Sequence, residues 1–225
     1  MTPIPLHHGA IGNGRVLALV GPDTSIDWLC LPRFDSPSVF ARLLDQERGG
    51  SWAFEPVESW TAASAYVRNT NVIRTEITAA DGRFEILDFA PRVLDGYRVD
   101  APIEVCRLLR PIQGTPRVRV RFDPRPDYSR ADIEVVVAGQ GIEVVGGPTR
   151  LYLSSNVAAP YILDGTPFRV DRPIFFSLSS GRPPSVDSGP AAETAAELTI
   201  RGWRQWAKTC ALPSFAPEAV LRSAL

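Results

Sequence analysis

Hydrophobic and polar residues alternate over short stretches in the first two-thirds of the chain, as they do in β-strands that bury one face. Residues 25–31, for example, place Ile26, Trp28 and Cys30 on the same side of an extended chain. Runs of this type predict strands over residues 15–20, 25–31, 71–78, 83–89, 103–109, 116–122, 133–138, 142–145, 151–155, 168–170 and 174–178. The chain is therefore expected to be mainly β.

Turn-forming residues separate the predicted strands. Asp81-Gly82 lies between two alternating runs, and this pair is a strong hairpin signal because glycine accepts the positive φ of a tight turn. Gly12-Asn13-Gly14 and residues 139–141 are also predicted as turns, since neither lies between a strand and a helix as phosphate-binding glycines do. Because the chain contains 21 prolines and 17 glycines, which break it into short strands, we predict a large antiparallel β-sandwich.

The pattern changes after residue 189. Residues 191–208 lack β-branched runs and predict a helix in which Leu198, Trp203 and Trp206 share a stripe. We therefore divide the chain into a β-sandwich domain over residues 1–189 and a helical linker over residues 190–225.

A second helix is predicted to begin near Pro217, because proline is favoured in the first turn of a helix. It follows a break at residues 212–214 and reaches Leu225 without a capping glycine. A helix that stops in the middle of its pattern leads us to expect more protein beyond this point.

Composition and charge narrow the function classes. The chain has 24 Lys+Arg and 25 Asp+Glu, for a formal charge of −1, so nothing favours nucleic acid or an anionic membrane as a partner. No secretory signal opens the chain, and no apolar run reaches the roughly 18 residues needed to span a bilayer. The three cysteines are far apart and form no CxxC pair. We expect a soluble, cytoplasmic protein.

The residue types that carry chemistry do not converge on a site. His7 and His8 are the only histidines; neighbouring residues supply no further ligands at metal spacing, so we expect surface or packing histidines, no metal and no cofactor. A pair of carboxylates is all that a glycosidase needs. The spacing of the aspartates singles out no such pair among Asp23, Asp27, Asp35, Asp45, Asp81, Asp88, Asp123 and Asp127.

The segment 26–45 is hard to explain as a strand of a sandwich alone. It contains two prolines, large aromatic residues and Arg33 between apolar neighbours. In one interpretation, a core strand leads into a loop held by Arg33 paired with Asp35 or Asp45. In the other, the loop packs against something outside the domain.

Several motifs together resemble one family. The matching segments are residues 11–15, 25–45, 48–52, Tyr66 with residues 71–75, the Asp81-Gly82 hairpin, residues 88–91 and 123–128, the pair Trp203 and Trp206, and residues 218–225. Across nearly the whole chain, this series resembles the N-terminal domain of the bacterial glycoside hydrolase family 15 proteins, which are glucoamylase-like and trehalase-like.

The resemblance implies an antiparallel β-sandwich of the supersandwich type, then a helical linker and an α/α barrel catalytic domain that hydrolyses α-glucosidic bonds with inversion. It places the two catalytic glutamates in the barrel, which is absent from this chain. No residue of this sequence therefore inherits a catalytic role, and an α-glucoside would be a substrate only of the parent enzyme.

The resemblance leaves a scaffold role for this chain. We hypothesise that the aromatic residues of segment 26–45, together with Arg33 and Asp35, face the barrel, and that the tryptophan pair fastens the linker between the two. An extension of this hypothesis places Arg33 and Asp35 at the rim of the sugar pocket. The candidate interface or pocket-rim residues are Trp28, Arg33, Phe34, Asp35, Phe40, Trp203 and Trp206. Without the barrel, an exposed apolar patch would favour a homo-oligomer.

Two other function classes stay open at this point. Five tryptophans and five tyrosines could serve a free-standing carbohydrate-binding module, although most of them lie in patterned strands or in the predicted helix. The chain could also be a small hydrolase in its own right, with a site that lacks the family's glutamates. The sequence does not choose between trehalose and maltodextrin.

Overall fold

The chain folds into two antiparallel β-sheets that pack against each other, as seen in a computed structural model that describes residues 7–96, 98–139 and 141–225. The strands are β1 (Gly9–Gly12), β2 (Leu17–Val20), β3 (Ile26–Cys30), β4 (Ser38–Phe40), β5 (Ser51–Pro56), β6 (Trp60–Tyr66), β7 (Ile73–Ala79), β8 (Gly82–Phe89), β9 (Val93–Asp95), β10 (Arg98–Asp100), β11 (Glu104–Gly114), β12 (Arg117–Asp123), β13 (Glu134–Ala138), β14 (Gly141–Val145), β15 (Leu151–Ser155), β16 (Phe168–Arg169) and β17 (Ile174–Ser180). The helical segments are α1 (Pro126–Ser129), α2 (Ala159–Leu163), α3 (Gly189–Thr209) and α4 (Pro217–Ala224).

The first sheet has seven strands in the order β1–β2–β3–β5–β12–β16, with β4 paired to β3. The second has eight strands in the order β13–β14–β15–β17–β11–β8–β7–β6. Strands β9 and β10 form a separate two-stranded ribbon. The structure confirms the predicted mainly-β fold with antiparallel sheets and a C-terminal helical region.

The core lies between the two sheets and is rich in aromatic rings. Phe54 of the first sheet and Phe176 of the second have ring centroids 5.1 Å apart, and Trp52 contacts Phe176 edge to face at 6.4 Å. All three side chains are fully buried. Aromatic pairs in this arrangement add to the free energy that burial of their area contributes.

A buried arginine connects the two sheets through its hydrogen bonds. Arg107 of β11 lies beside Asp88 of β8, with an Nε–Oδ1 distance of 2.7 Å. The same guanidinium donates to the backbone carbonyl of Trp52 in β5 of the other sheet, at 2.6 Å, and to that of Thr24 in the turn between β2 and β3. It therefore meets both its charge and its hydrogen-bond needs inside the core.

The long helix α3 covers the outer face of the eight-stranded sheet. Ala192, Ala196 and Trp203 pack there against buried residues of β8, β11 and β17, among them Phe89 and Leu108. The buried stripe of α3 differs from the predicted one, because Leu198 is only half-buried and small residues make most of the contact.

A glycine allows α3 to approach the chain after β8 closely. A Cβ atom on Gly202 would lie 3.0 Å from the carbonyl oxygen of Arg92. Thr199, one turn earlier, accepts a 3.1 Å hydrogen bond from the backbone N–H of Arg92. This contact fixes the end of α3 over the sandwich.

The predicted strands were all found, and the Asp81-Gly82 hairpin is confirmed as the β7–β8 connection. Gly82 is the first residue of β8, where a Cβ atom would lie 2.3 Å from the carbonyl oxygen of Gln113. Four strands between residues 9 and 66, namely β1, β4, β5 and β6, were not predicted. No helix in the described part of the chain has the length and apolar character required to cross a membrane.

Candidate functional site

A groove of about 580 Å³ lies where the C-terminal helices meet the sandwich. Its walls are the β1–β2 turn, the loop after β3, the loop before β7, and the ends of α3 and α4. We call it the C-terminal groove. Three of the seven predicted site residues line it, namely Phe34, Trp203 and Trp206.

The tryptophan pair lines one wall of the C-terminal groove. Trp203 and Trp206 are three residues apart on α3, so their side chains lie on adjacent turns of one face. Their rings meet edge to face with centroids 5.8 Å apart. Trp203 is buried against the sheet while Trp206 is half-buried. Their packing joins the helix to the groove.

The asparagines of the groove are occupied by the fold. The Asn13 amide donates to the carbonyls of Pro91 at 3.0 Å and Pro102 at 2.9 Å. Asn71 donates to the carbonyl of Leu225 and accepts from Arg222. Neither side chain has its amide group free for a ligand.

Helix α4 is held against the β6–β7 connection by polar contacts. The Arg222 guanidinium lies 3.8 Å from the centroid of the Tyr66 ring and donates to the carbonyl of Thr70 at 2.6 Å. Burial lowers the pKa of Arg222, although the Tyr66 side chain opposes this shift. Tyr66 in turn contacts the backbone of Ala10, which connects α4 to strand β1.

The charged groups that line the groove are both arginines. Arg15 is exposed and donates to the carbonyl of Ala101 at 3.2 Å. Arg92 lies over Trp203, with its guanidinium carbon 4.6 Å from the ring centroid. Burial lowers the pKa of Arg92. Within the described residues, no carboxylate lines the groove.

The loop after β3 presents an exposed ion pair beside the groove. Arg33 makes a two-point contact with Asp35, with Nε–Oδ1 at 2.8 Å and Nη2–Oδ2 at 3.0 Å. This hydrogen bond lowers the pKa of Asp35. Of the two partners predicted for Arg33, the structure therefore selects Asp35 and not Asp45. The neighbouring Phe34 side chain is 66% exposed.

The structure separates two predicted site residues from this group. Trp28 is half-buried and its ring lies 6.5 Å from that of Tyr128. Phe40 is fully buried and meets Phe122 edge to face at 6.0 Å in the core. Phe40 cannot itself face another domain, because the sandwich already encloses its ring.

The turn beside Trp28 has an unusual backbone. Asp127, Tyr128 and Ser129 of the short segment α1 have φ values of 55°, 55° and 63°. This is the left-handed region of the backbone, which residues other than glycine rarely adopt. The turn holds Tyr128 40% exposed next to Trp28. This geometry belongs to the Asp123–Tyr128 motif that the sequence singled out.

A second cluster of charged groups lies at the start of the chain. His8 contacts Asp27 with an Nε2–Oδ2 distance of 2.8 Å. Arg42 binds Asp23 at 2.9 Å and Asp27 at 3.2 Å, and Ser25 donates to Asp23 at 2.5 Å. His8 therefore packs in this cluster through its Nε2 atom, while its Nδ1 atom is buried without a hydrogen-bond partner among the described residues. His7 is exposed. No group of three or more metal-binding side chains occurs in the described part of the chain.

Sequence reasoning missed Arg92 as a groove residue. It directly follows the matching segment 88–91, but an arginine after a proline carries no pattern of its own. Its place depends on the contact of α3 with residues about a hundred positions earlier, and periodicity cannot reveal such a contact.

Comparison with known proteins places this arrangement in a family. The family described as "Trehalase-like, N-terminal" matches residues 2–164. Among curated relatives, Trehalase 1 of Sulfolobus acidocaldarius is 45% identical over 83 residues, which are 37% of this chain and 14% of that protein. Trehalase 2 of the same organism is 27% identical over 169 residues, covering 70% of this chain and 28% of the relative.

A trehalase of Mycolicibacterium smegmatis aligns with 97% of the chain at 25% identity, and this alignment covers 36% of that protein. The chain thus spans about a third or less of the curated relatives described here. No solved structure gave a significant match. Since the family match extends over most of the sequence, the chain belongs to the trehalase-like N-terminal family.

Proposed function

We propose that this chain is a non-catalytic scaffold domain of an inverting α-glucoside hydrolase of the trehalase type. In this proposal it packs against an α/α barrel that holds the catalytic glutamates, as the resemblance to glycoside hydrolase family 15 implies. The observation that carries the proposal is the C-terminal groove, where Phe34, Trp203 and Trp206 form an apolar surface with no carboxylate among the described lining residues.

The chemistry of glycoside cleavage supports a site outside this chain. Both stereochemical routes need two carboxyl groups on opposite sides of the scissile bond. The three buried carboxylates of the sandwich already have partners. Asp88 is paired with Arg107, and Asp27 contacts His8 and Arg42. Glu104 accepts hydrogen bonds from Ser177, Ser185 and Val186. We infer that none of the three acts as a general acid or base.

The relatives support the substrate class. The curated proteins that match are named trehalases, and the chain corresponds to only part of each. We infer that the complete enzyme hydrolyses trehalose or a related α-glucoside in the cytoplasm. Maltodextrin remains the alternative substrate, because the sugar pocket of the proposed enzyme lies outside this chain.

A free-standing carbohydrate-binding module is the competing proposal. The aromatic rings of the groove favour it, since sugars stack on such rings. The polar groups count against it: the amides of Asn13 and Asn71 are used by the fold, whereas a sugar needs several free donors and acceptors. Titration of the isolated chain with maltotriose and trehalose by calorimetry distinguishes the two; the scaffold proposal expects no heat of binding.

Hydrolysis assays test the scaffold proposal. The partner domain is the part of the M. smegmatis trehalase outside its match to this chain, produced separately and checked for folding by circular dichroism. We expect no release of glucose from trehalose or maltotriose by the chain alone, and release when both polypeptides are mixed. Hydrolysis by the chain alone would reject a non-catalytic role, and an unchanged rate on mixing would reject a scaffold role.

A further inference from the structure

Neither arginine of the groove, Arg15 or Arg92, has a carboxylate partner among the described residues, and of the two only Arg92 is partly buried. Its side chain is half-buried, and the guanidinium lies over the Trp203 ring. Its Nε atom is buried without a hydrogen-bond partner. Its side chain makes neither an ion pair nor a hydrogen bond with any residue that the structure describes; only its backbone N–H is bound, by Thr199.

The other arginines of comparable burial all lie beside a carboxylate or a hydrogen-bond acceptor, although the Nε atom of Arg121, 3.0 Å from a Glu55 oxygen, also lacks a hydrogen bond. Arg107 pairs with Asp88, and Arg222 donates to the oxygens of Thr70 and Asn71. The remaining four, each with a carboxylate partner, are Arg42, Arg83, Arg110 and Arg121. Removal of a cation from water without a partner costs free energy, which ordinary folds avoid by pairing it. The isolation of Arg92 thus points to a partner outside the described residues.

The surroundings of Arg92 indicate what that partner is. The groove is lined mainly by apolar groups, and its charged groups are Arg15 and Arg92. An occupant that fits must carry negative charge close to apolar surface. A neutral sugar lacks the charge, and the amides that could bind its hydroxyl groups are already engaged. A protein segment with a carboxylate flanked by apolar side chains meets both requirements.

We propose that Arg92 binds a carboxylate, from an aspartate or glutamate of the catalytic domain, whose apolar neighbours fill the C-terminal groove against Trp203 and Trp206. This inference rests on the proposed scaffold function and adds the chemistry of the contact. The planar guanidinium can bind both oxygens of a carboxylate while its face stays on the indole ring, a combination that lysine cannot reproduce.

The affinity of the chain for the partner domain tests this contact. Arg92→Gln removes the charge and keeps a side chain of similar length. Arg92→Lys keeps the charge but removes the planar guanidinium that can bind two oxygens at once. Arg201→Gln is the control, because Arg201 is an arginine of α3, next to the Gly202 that approaches Arg92, and its side chain is exposed. Calorimetry gives the dissociation constant of each variant at low and high salt, and thermal unfolding of each isolated chain shows whether it is folded.

We expect Arg92→Gln to weaken binding about 10- to 100-fold, in the range of a lost hydrogen bond to a charged group. Arg92→Lys should lie between it and the wild type, and Arg201→Gln should bind like the wild type. The salt dependence of binding should be smaller in Arg92→Gln, because one ion pair is gone.

The possible results distinguish the carboxylate contact of Arg92 from the scaffold role on which it rests. Wild-type binding with equal affinity for Arg92→Gln and Arg201→Gln overturns the carboxylate contact and leaves the scaffold role intact. Failure of the wild type to bind the partner domain rejects both. If Arg92→Gln is unfolded, Arg92→Lys decides: unaltered affinity and salt dependence in that variant reject the two-oxygen contact.

Discussion

At the scale of single residues, Arg107 carries the polar connection between the sheets. It is fully buried, pairs with Asp88 of its own sheet, and donates to the carbonyl of Trp52 in the other sheet and to that of Thr24 in the β2–β3 turn. Burial raises the pKa of Asp88, and the adjacent guanidinium opposes that shift. The pair thus balances a cost of desolvation against an attraction that depends on both members.

Removal of one member should therefore be severe. We expect Arg107→Ala to lower the free energy of unfolding by about 3–5 kcal/mol, because it leaves Asp88 buried without a counter-charge. Urea denaturation measures this change. Arg117→Ala is the control, since Arg117 pairs with Glu58 on the surface, where such pairs contribute about 0–1 kcal/mol. Equal losses of unfolding free energy in the two variants would show that the buried pair stabilises the fold no more than the surface pair does.

The stability of the fold depends on the ionisation of Asp23 at acidic pH. Burial raises the pKa of Asp23, but hydrogen bonds from Ser25 and Arg42 outweigh this effect, and the net pKa lies below its usual value of 3.8. A carboxyl group with a lowered pKa stabilises the fold above pH 3.8, and this stabilisation is lost as the pH falls through the lower value.

Asp23→Asn should accordingly be less stable than the wild type at neutral pH, and the difference should shrink as the pH falls below 3.8. Thermal unfolding between pH 2.5 and 7, at roughly half-unit steps, follows this change across the window in which the carboxyl group titrates. Asp132→Asn, at an exposed position, provides the control. A difference that is constant with pH would contradict the argument.

A substitution of Arg33 tests the role of the loop after β3, beside the groove. Under the proposed scaffold role, we expect Arg33→Ala to reduce the thermal stability or turnover of the complete enzyme, because the substitution removes the exposed Arg33–Asp35 pair from the proposed interface with the catalytic domain. A change in stability with unchanged substrate affinity would place the pair at the domain interface and away from the sugar pocket. No change in either property would remove both roles from this loop.

At the scale of elements, the docking of α3 depends on a close approach at Gly202. We expect Gly202→Leu to lower the free energy of unfolding by about 1–3 kcal/mol, since the larger side chain has no room beside the Arg92 carbonyl. Arg201→Leu, one position away and exposed, should have little effect. Denaturant unfolding compares the two; equal small effects would show that α3 is loosely held.

The pattern of side chains predicted the elements that bury one clear face. Strands β8, β11, β15 and β17 alternate or run continuously apolar and were found from the sequence, as were both long helices. Strand β6 was not, because residues 61–65 are small or polar and exposed. It is a strand because it pairs with β7 along its whole length at the sheet edge, which is a tertiary cause that local periodicity does not contain.

At the scale of the whole molecule, the structure brings some of the predicted site residues together and leaves others apart. Phe34, Trp203 and Trp206 do converge at one groove, while Phe40 lies in the core. Arg92 was missed because only the packing of α3 across the end of β8 brings it to Trp203. Aromatic residues are conspicuous in a sequence; a cation that lacks its partner is recognisable only in a structure.

The proposed scaffold role requires the C-terminal groove and the loop after β3 to pack against a catalytic domain. Hydrogen–deuterium exchange of the chain, free and mixed with the partner domain, measures whether they do. We expect slower exchange at the β1–β2 turn, at residues 31–37 and in α4, with no change in the β13–β14 hairpin at the opposite sheet edge. Unchanged exchange throughout, or protection confined to that hairpin, would contradict it.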